Sequence, residues 1–320
     1  MENTRSNLLT KPWAACGLAM VCCLLWGSAF PLVKTGFGWL NISSADIAAE
    51  ILYAGLRFTI AGAFAIAIAS VIERRFVYPK KNAVHKVMIL SLFQTILQYF
   101  FFYIGLSNTA GVKASIIEGT NVFVALVVSC LIFRMEKFTA AKVIGCVIGF
   151  AGVVIINISG SGFDMNMSLK GEGFVLISTV AYAFSSVYMK HVSVDENPMM
   201  LSGWQFLFGG AVMAAGGYAA GGRIHGFDTR SVLLLIYLAA LSAIAYSLWA
   251  MLLKYNPVSK ITVYGFMNPV FGVILSALIL GETEQAFGFK SLIALLLVCI
   301  GIFIVNRKDQ ISCQSDKNVV

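Results

Sequence analysis

The chain has 320 residues, of which 59% are hydrophobic and 12% charged, with a net charge of +8 and a mean hydropathy of +0.84. So little polar surface cannot cover a soluble globule of this length, and no long polar stretch remains for a separate soluble domain, which places the chain in a lipid bilayer. The basic residues sit in short segments between apolar runs and form no continuous stripe, so they speak for membrane topology and against nucleic acid as a partner.

Ten apolar runs have about the 17–25 residues that a helix needs to cross the hydrocarbon. They lie at 13–34, 49–72, 87–107, 111–133, 140–158, 173–190, 199–220, 231–253, 258–280 and 288–305. The expectation is an all-α integral membrane protein with ten transmembrane helices, an N-terminal segment 1–12, a connecting loop 159–172 and a polar tail 307–320. The first run lacks a small-residue cleavage site and reads as a retained span without a cleaved signal peptide. If the N-terminus is cytoplasmic, sixteen Lys and Arg fall inside and six outside, with Arg57 left within a span, so both termini are expected in the cytoplasm. Six of the seven cysteines lie in apolar runs without metal or redox spacing and read as small buried residues.

The chain also repeats itself. At an offset of 148 residues Gly55-Leu-Arg-Phe58 aligns with Gly203-Trp-Gln-Phe206, Gly62-Ala63 with Gly210-Ala211, Asn108 with Asn256, and Val122-Phe123 with Val270-Phe271. Each copy, 13–158 and 173–306, holds five spans, an odd number, so the second copy enters the membrane from the opposite side. Such inverted repeats recur in secondary transporters, whose site lies near the midplane between the repeats.

Three short motifs sharpen this: Leu25-Trp26-Gly27-Ser28-Ala29-Phe30 in the first span, Arg57-Phe58 in the second, and Pro269 followed by Gly281-Glu282 around the ninth. With ten spans and the duplication, the chain resembles the drug/metabolite transporter superfamily, in particular its EamA-type permeases, over about residues 13–306. The resemblance implies a carrier of the bacterial inner membrane, often an exporter of amino acids, related metabolites or toxic compounds. The chain departs from the pattern where Asn121 stands in place of a first-repeat proline and Phe133-Arg134-Met135-Glu136 in place of a Gly-Glu ending.

No His or Asp lies inside a span and there is no GxxxxGK[ST] loop, which counts against a protease, a metal-dependent hydrolase and an ATP-driven pump. No cofactor or metal is expected. The membrane does hold one deep carboxylate, Glu118, and one deep guanidinium, Arg57, each roughly 10–12 Å below the outer boundary at ~1.5 Å per residue. A carboxylate in hydrocarbon costs on the order of 2.5–3.5 kcal/mol, so it faces a bundle interior or a wet cavity. Ser115, Glu118 and Asn121 recur every three residues and are expected on one inward face. Gln94, Gln98, Tyr99 and Tyr103 of the third span and Tyr246 and Trp249 of the eighth are placed around it, with Asn268, as an amphipathic pocket for a small solute. Glu50, at the end of its span, is expected at the interface. Pro31 frees the carbonyl of Gly27 and Pro269 that of Gly265, which makes these two pairs candidate hinges. Gly145 and Gly149 form a close-packing face, within the fold or in a homodimer. The expectation is alternating access, with Glu118 binding a proton or a substrate amine. A passive facilitator in which Glu118 and Arg57 only hold helices together is the alternative within transport, and a membrane-bound enzyme or sensor is the alternative of another class, against which the missing catalytic constellation counts.

Overall fold

A computed structural model describes residues 9–134, 139–157, 168–193, 195–256 and 263–315. Among them every regular element is helical. The chain runs through α1 (Pro12–Trp39), α2 (Ile47–Glu73), α3 (Lys81–Ser107), α4 (Gly111–Ile132) and α5 (Ala140–Asn157). It continues through α6 (Leu169–Val192), α7 (Pro198–Ala219), α8 (Thr229–Tyr255), α9 (Met267–Leu280) and α10 (Phe289–Ser315). Seven of these, α1–α4 and α6–α8, are long and apolar enough to cross a membrane, and Ala140–Gly152, Met267–Leu280 and Phe289–Gly301 are shorter apolar helices. α10 carries the helix through most of the expected polar tail, as far as Ser315. Most of the expected connecting loop lies outside the described residues, and Leu169–Gly173 is already the first, π-helical turn of α6.

The ends follow local chemistry. Asp46 accepts a hydrogen bond from the Ala49 amide at the start of α2, and Asn197 accepts from the Met199 and Met200 amides while Pro198 opens α7. At α8, Asp228 and Ser231 exchange hydrogen bonds as a capping box, and the Ser231 amide and hydroxyl hold the Asp228 carboxyl below its ordinary range. α2 ends at Arg74 with φ 52° and α9 at Gly281 with φ 71°, the left-handed turn that stops a helix.

Two spans are not regular. α3 contains a π-helical stretch, Ser91–Leu97, and α4 is split into Gly111–Glu118 and Asn121–Val127 by a turn at Gly119-Thr120. α9 is preceded by a 3-10 turn, Val263–Phe266, so Pro269 falls in its first α-helical turn, where the missing amide costs little. α1, by contrast, runs through Pro31 as one helix.

The tightest seam joins α2 to α7. A Cβ added at Gly55 or Gly62 would overlap the backbone of Ala214 or Leu207, and one at Gly203, Gly210 or Gly217 would meet Ile66, Thr59 or Leu52. α5 packs on α10 in the same way, with Gly301 against the Gly145 carbonyl and the Gly149 amide. That face is therefore used inside the chain. α1 packs on α9 through Gly27 against Phe271 and Gly272, and α9 packs on α4 through Gly272 against Ser115. Apolar side chains such as Phe76, Val147, Leu278 and Leu296 remain exposed on the outside of the bundle, as a lipid-facing surface requires.

Candidate functional site

Glu118 is the last residue of the first segment of α4, directly before the break. Its carboxylate has no hydrogen bond or ion pair among the described residues, yet it is enclosed by protein and retains some accessible surface, as a side chain lining an internal space does. Tyr99 of α3, Tyr182 of α6 and Tyr246 of α8 lie within electrostatic reach of it.

These tyrosines belong to an aromatic cluster. The Tyr99 and Tyr246 hydroxyls are hydrogen bonded at 3.0 Å, and Trp26 of α1 stands edge-on to Tyr246 at 5.5 Å and to Trp249 at 5.1 Å. Phe58 lies 3.9 Å from Tyr99, and Phe206 lies 4.9 Å from Tyr246. α9 closes the site from another side. A Cβ on Gly119 would stand 3.1 Å from Pro269 Cγ, and the Cys23 thiol donates to the Tyr264 carbonyl at 3.3 Å beside the Asn268 backbone. Three buried polar atoms here have no partner: Trp26 Nε1, Gln98 Oε1 and Asn268 Oδ1. An unmet buried polar group costs about 1–3 kcal/mol, so such atoms mark where a ligand or water completes the structure.

Arg57 borders this set, over the Phe58 ring at 4.8 Å, but its own hydrogen bonds lead away from Glu118. It is 2% exposed, and each guanidinium nitrogen is engaged: Nε donates to the Leu238 carbonyl at 3.2 Å, Nη1 to the Tyr103 hydroxyl at 2.8 Å and Nη2 to Ser242 Oγ at 2.9 Å. It forms no ion pair with Glu118. Tyr99 lies within electrostatic reach of both charges. Tyr103 thus belongs with Arg57 in a knot joining α2, α3 and α8.

The structure therefore gathers Glu118, Tyr99, Tyr246 and Trp249, brings Asn268 close through α9, and leaves Arg57 and Tyr103 at the edge of the cluster, with the Tyr103 ring 6.3 Å from that of Tyr99. Gln98 is buried beside Tyr99 in the chain. Asn121 opens the second segment of α4, beyond the break, so the regular face expected for Ser115, Glu118 and Asn121 is interrupted there. Of the hinge candidates, Gly27 is clamped against α9, while Gly265 sits in the 3-10 turn with Trp249 Cη2 at 3.9 Å from where its Cβ would be. Sequence reasoning missed Tyr182, one of several tyrosines in mid-span, and the packing role of Trp26. Glu50 lies in the first turn of α2, at the end of its span, and is fully buried there by neighbouring helices.

One end of the bundle is tied by charge. Lys34 Nζ lies 3.3 Å from Glu282 Oε1 and donates to the Thr109 carbonyl at 2.7 Å, while the Glu282 carboxylate accepts from the Gly111 and Val112 amides at 3.1 and 3.0 Å. Glu282 thereby caps the start of α4, where an anion is favoured. Beside it, Glu172 accepts from the Thr109 hydroxyl at 2.8 Å and pairs with Lys113 at 3.3 Å. Side chains counted as topology signals in the sequence thus fasten α1, α4, α6 and the end of α9 together.

A helical bundle with a lipid-facing surface and an unpaired carboxylate among aromatic rings in mid-span is a multi-pass membrane protein of transporter type. The EamA-like transporter family matches residues 13–158 and again 169–307, and the chain belongs to that family. It is 26% identical to an uncharacterized transporter of Archaeoglobus fulgidus over 93% of this chain and 99% of that one, and 25% identical to the uncharacterized transporter YvbV of Bacillus subtilis over 90% of each. A match to the uncharacterized inner membrane transporter YedA of Escherichia coli K12 is 28% identical over 52% of this chain and 55% of that one. A solved crystal structure superposes with a TM-score of 0.64 at 21% identity, covering 91% of this chain and 96% of that one, a likeness of fold.

Proposed function

We propose that the chain is a secondary transporter of ten transmembrane helices in two inverted repeats, which exports a small metabolite or drug-like solute across a bacterial inner membrane by alternating access. Both termini are then cytoplasmic. The α2–α7 seam supports the duplication. At the 148-residue offset, Gly55 on Ala214 and Gly203 on Ile66 are one contact seen from each repeat, and so are Gly62 on Leu207 and Gly210 on Thr59. These pairs also run in opposite directions along the two helices, as inversion requires. α4 and α9, the matching fourth spans, both lose regular helix near Asn121 and its counterpart Pro269. Discontinuous helices of this kind frame midplane sites in transporters.

The observation that carries the reading is Glu118, unpartnered at the break of α4 among aromatic rings. In this mechanism it takes a proton or a substrate amine on one side and gives it up on the other. Flux in proteoliposomes, with and without a pH gradient, tests it. Glu118→Gln is expected to lower transport at least about tenfold, as the loss of a charge-assisted contact implies. Undiminished flux with the same pH dependence removes the coupling role.

A further inference from the structure

Among the described residues no protein group answers the Glu118 carboxylate, and the chemistry of its neighbours selects the ligand. We infer that the solute carries an organic ammonium group on an aromatic or aliphatic body and has no carboxylate. The inference rests on reading Glu118 as substrate-facing.

Of the unmet atoms, the Glu118 carboxylate when ionised, Asn268 Oδ1 and, on the neighbouring helix, Gln98 Oε1 only accept, while Trp26 Nε1 donates. An ammonium supplies several N–H donors to such a set. The rings of Trp26, Tyr99, Tyr182, Tyr246 and Trp249 add apolar surface and negative π faces, which attract a cation and repel an anion.

Among the described residues a carboxylate finds no free cation, and the Trp26 indole N–H is an unmet donor left to it. Arg57 is the cation the sequence places at this depth, but all three of its nitrogens are committed to Leu238, Tyr103 and Ser242, and Phe58 covers its face at 4.8 Å. Lys34 and Lys113 are held by Glu282 and Glu172 at the end of the bundle. An amino acid brought here would place its carboxylate beside Glu118 with no cation to meet it, a like-charge arrangement that disfavours binding. The solute class thus narrows from amino acids and their relatives to amines.

Four compounds with one ring separate the possibilities: phenethylamine, 2-phenylethanol, 3-phenylpropionate and phenylalanine. Each is titrated against the purified full-length chain with quenching of tryptophan fluorescence as the readout, and each is then offered to proteoliposomes. Phenethylamine is expected to bind at least about tenfold tighter than the alcohol or phenylalanine, the scale of a hydrogen-bonded charge contact. Phenylpropionate is expected not to saturate. Glu118→Gln should abolish the amine's advantage while changing alcohol binding by less than about threefold, and Glu118→Asp should keep the preference. If the Gln variant does not fold, the wild-type series with the Asp variant decides alone. Equal or tighter binding of phenylalanine or phenylpropionate, an amine preference that survives Glu118→Gln, or no saturable amine binding overturns the inference. Flux of phenylalanine as fast as that of the amine also overturns it but leaves transport standing. Selective amine binding without flux of any of the four upholds the inference and removes the transport reading.

Discussion

At the scale of single residues, the two charges deep in the bundle have opposite circumstances. Arg57 has one partner for each nitrogen, on three different residues. Hydrogen bonds to a charged group contribute about 1.5–3 kcal/mol each, and a lysine ammonium cannot reproduce the planar fork that reaches three acceptors. Arg57→Lys is therefore expected to destabilise the protein by at least about 2 kcal/mol and to lower its melting temperature in detergent. Glu118 makes no such contacts, so Glu118→Gln should leave the melting temperature nearly unchanged while transport falls. A large loss of stability in the Gln variant would move Glu118 from the solute path into the scaffold.

At the scale of helices, the glycines are not equivalent. Gly62 and Gly210 lie where the backbones of α2 and α7 touch, whereas a Cβ at Gly17 or Gly216 would meet nothing within 4 Å. Gly62→Val or Gly210→Val is expected to force the seam apart at a cost of about 2–4 kcal/mol, read as lost expression or a lowered melting temperature. Gly17→Ala and Gly216→Ala are expected to be neutral or to stabilise by up to about 1 kcal/mol, because alanine favours the helix. Valine tolerated at Gly62 would mean that the seam opens freely.

The same elements show what the sequence disclosed. Apolar runs of membrane length gave most helices within a few residues, because a span is a local property of composition. The glycine pairs were legible too, though not that they would pack on one another. The break in α4 was hidden, since Gly119-Thr120 contains no proline and the apolar run continues across it. Arg57 could be found but its partners could not: they lie 46, 181 and 185 residues away along the chain. The cover over Glu50 was not legible, because its position along a helix says nothing about its neighbours; the adjoining Ala48 and Ala49 backbone is packed against Gly217 and Gly222 of α7 and its following turn.

For the molecule as a whole, the ends of the bundle matter as much as its middle. The Lys34–Glu282 pair, the capped start of α4 and the Lys113–Glu172–Thr109 contacts join helices from both halves of the sequence and tie that end together. Ser276, fully buried against Gly111, reports on it. In a Ser276→Cys background in detergent, Glu282→Gln is expected to raise labelling by a polar maleimide at least about fivefold, since a broken pair removes on the order of 1 kcal/mol or more from the closed state. An unchanged rate would show that packing alone keeps this end closed.

The α2–α7 seam also has a mechanical meaning. A contact made backbone to backbone has no side chains that can change rotamer to absorb a shift, so it either stays in register or separates as a whole. Its contacts recur symmetrically about their own centre, which leaves rotation about that centre as the cheapest displacement. In the proposed alternating access the seam is the fulcrum, and the parts that swing about it are the broken α4 and its counterpart α9, which flank Glu118.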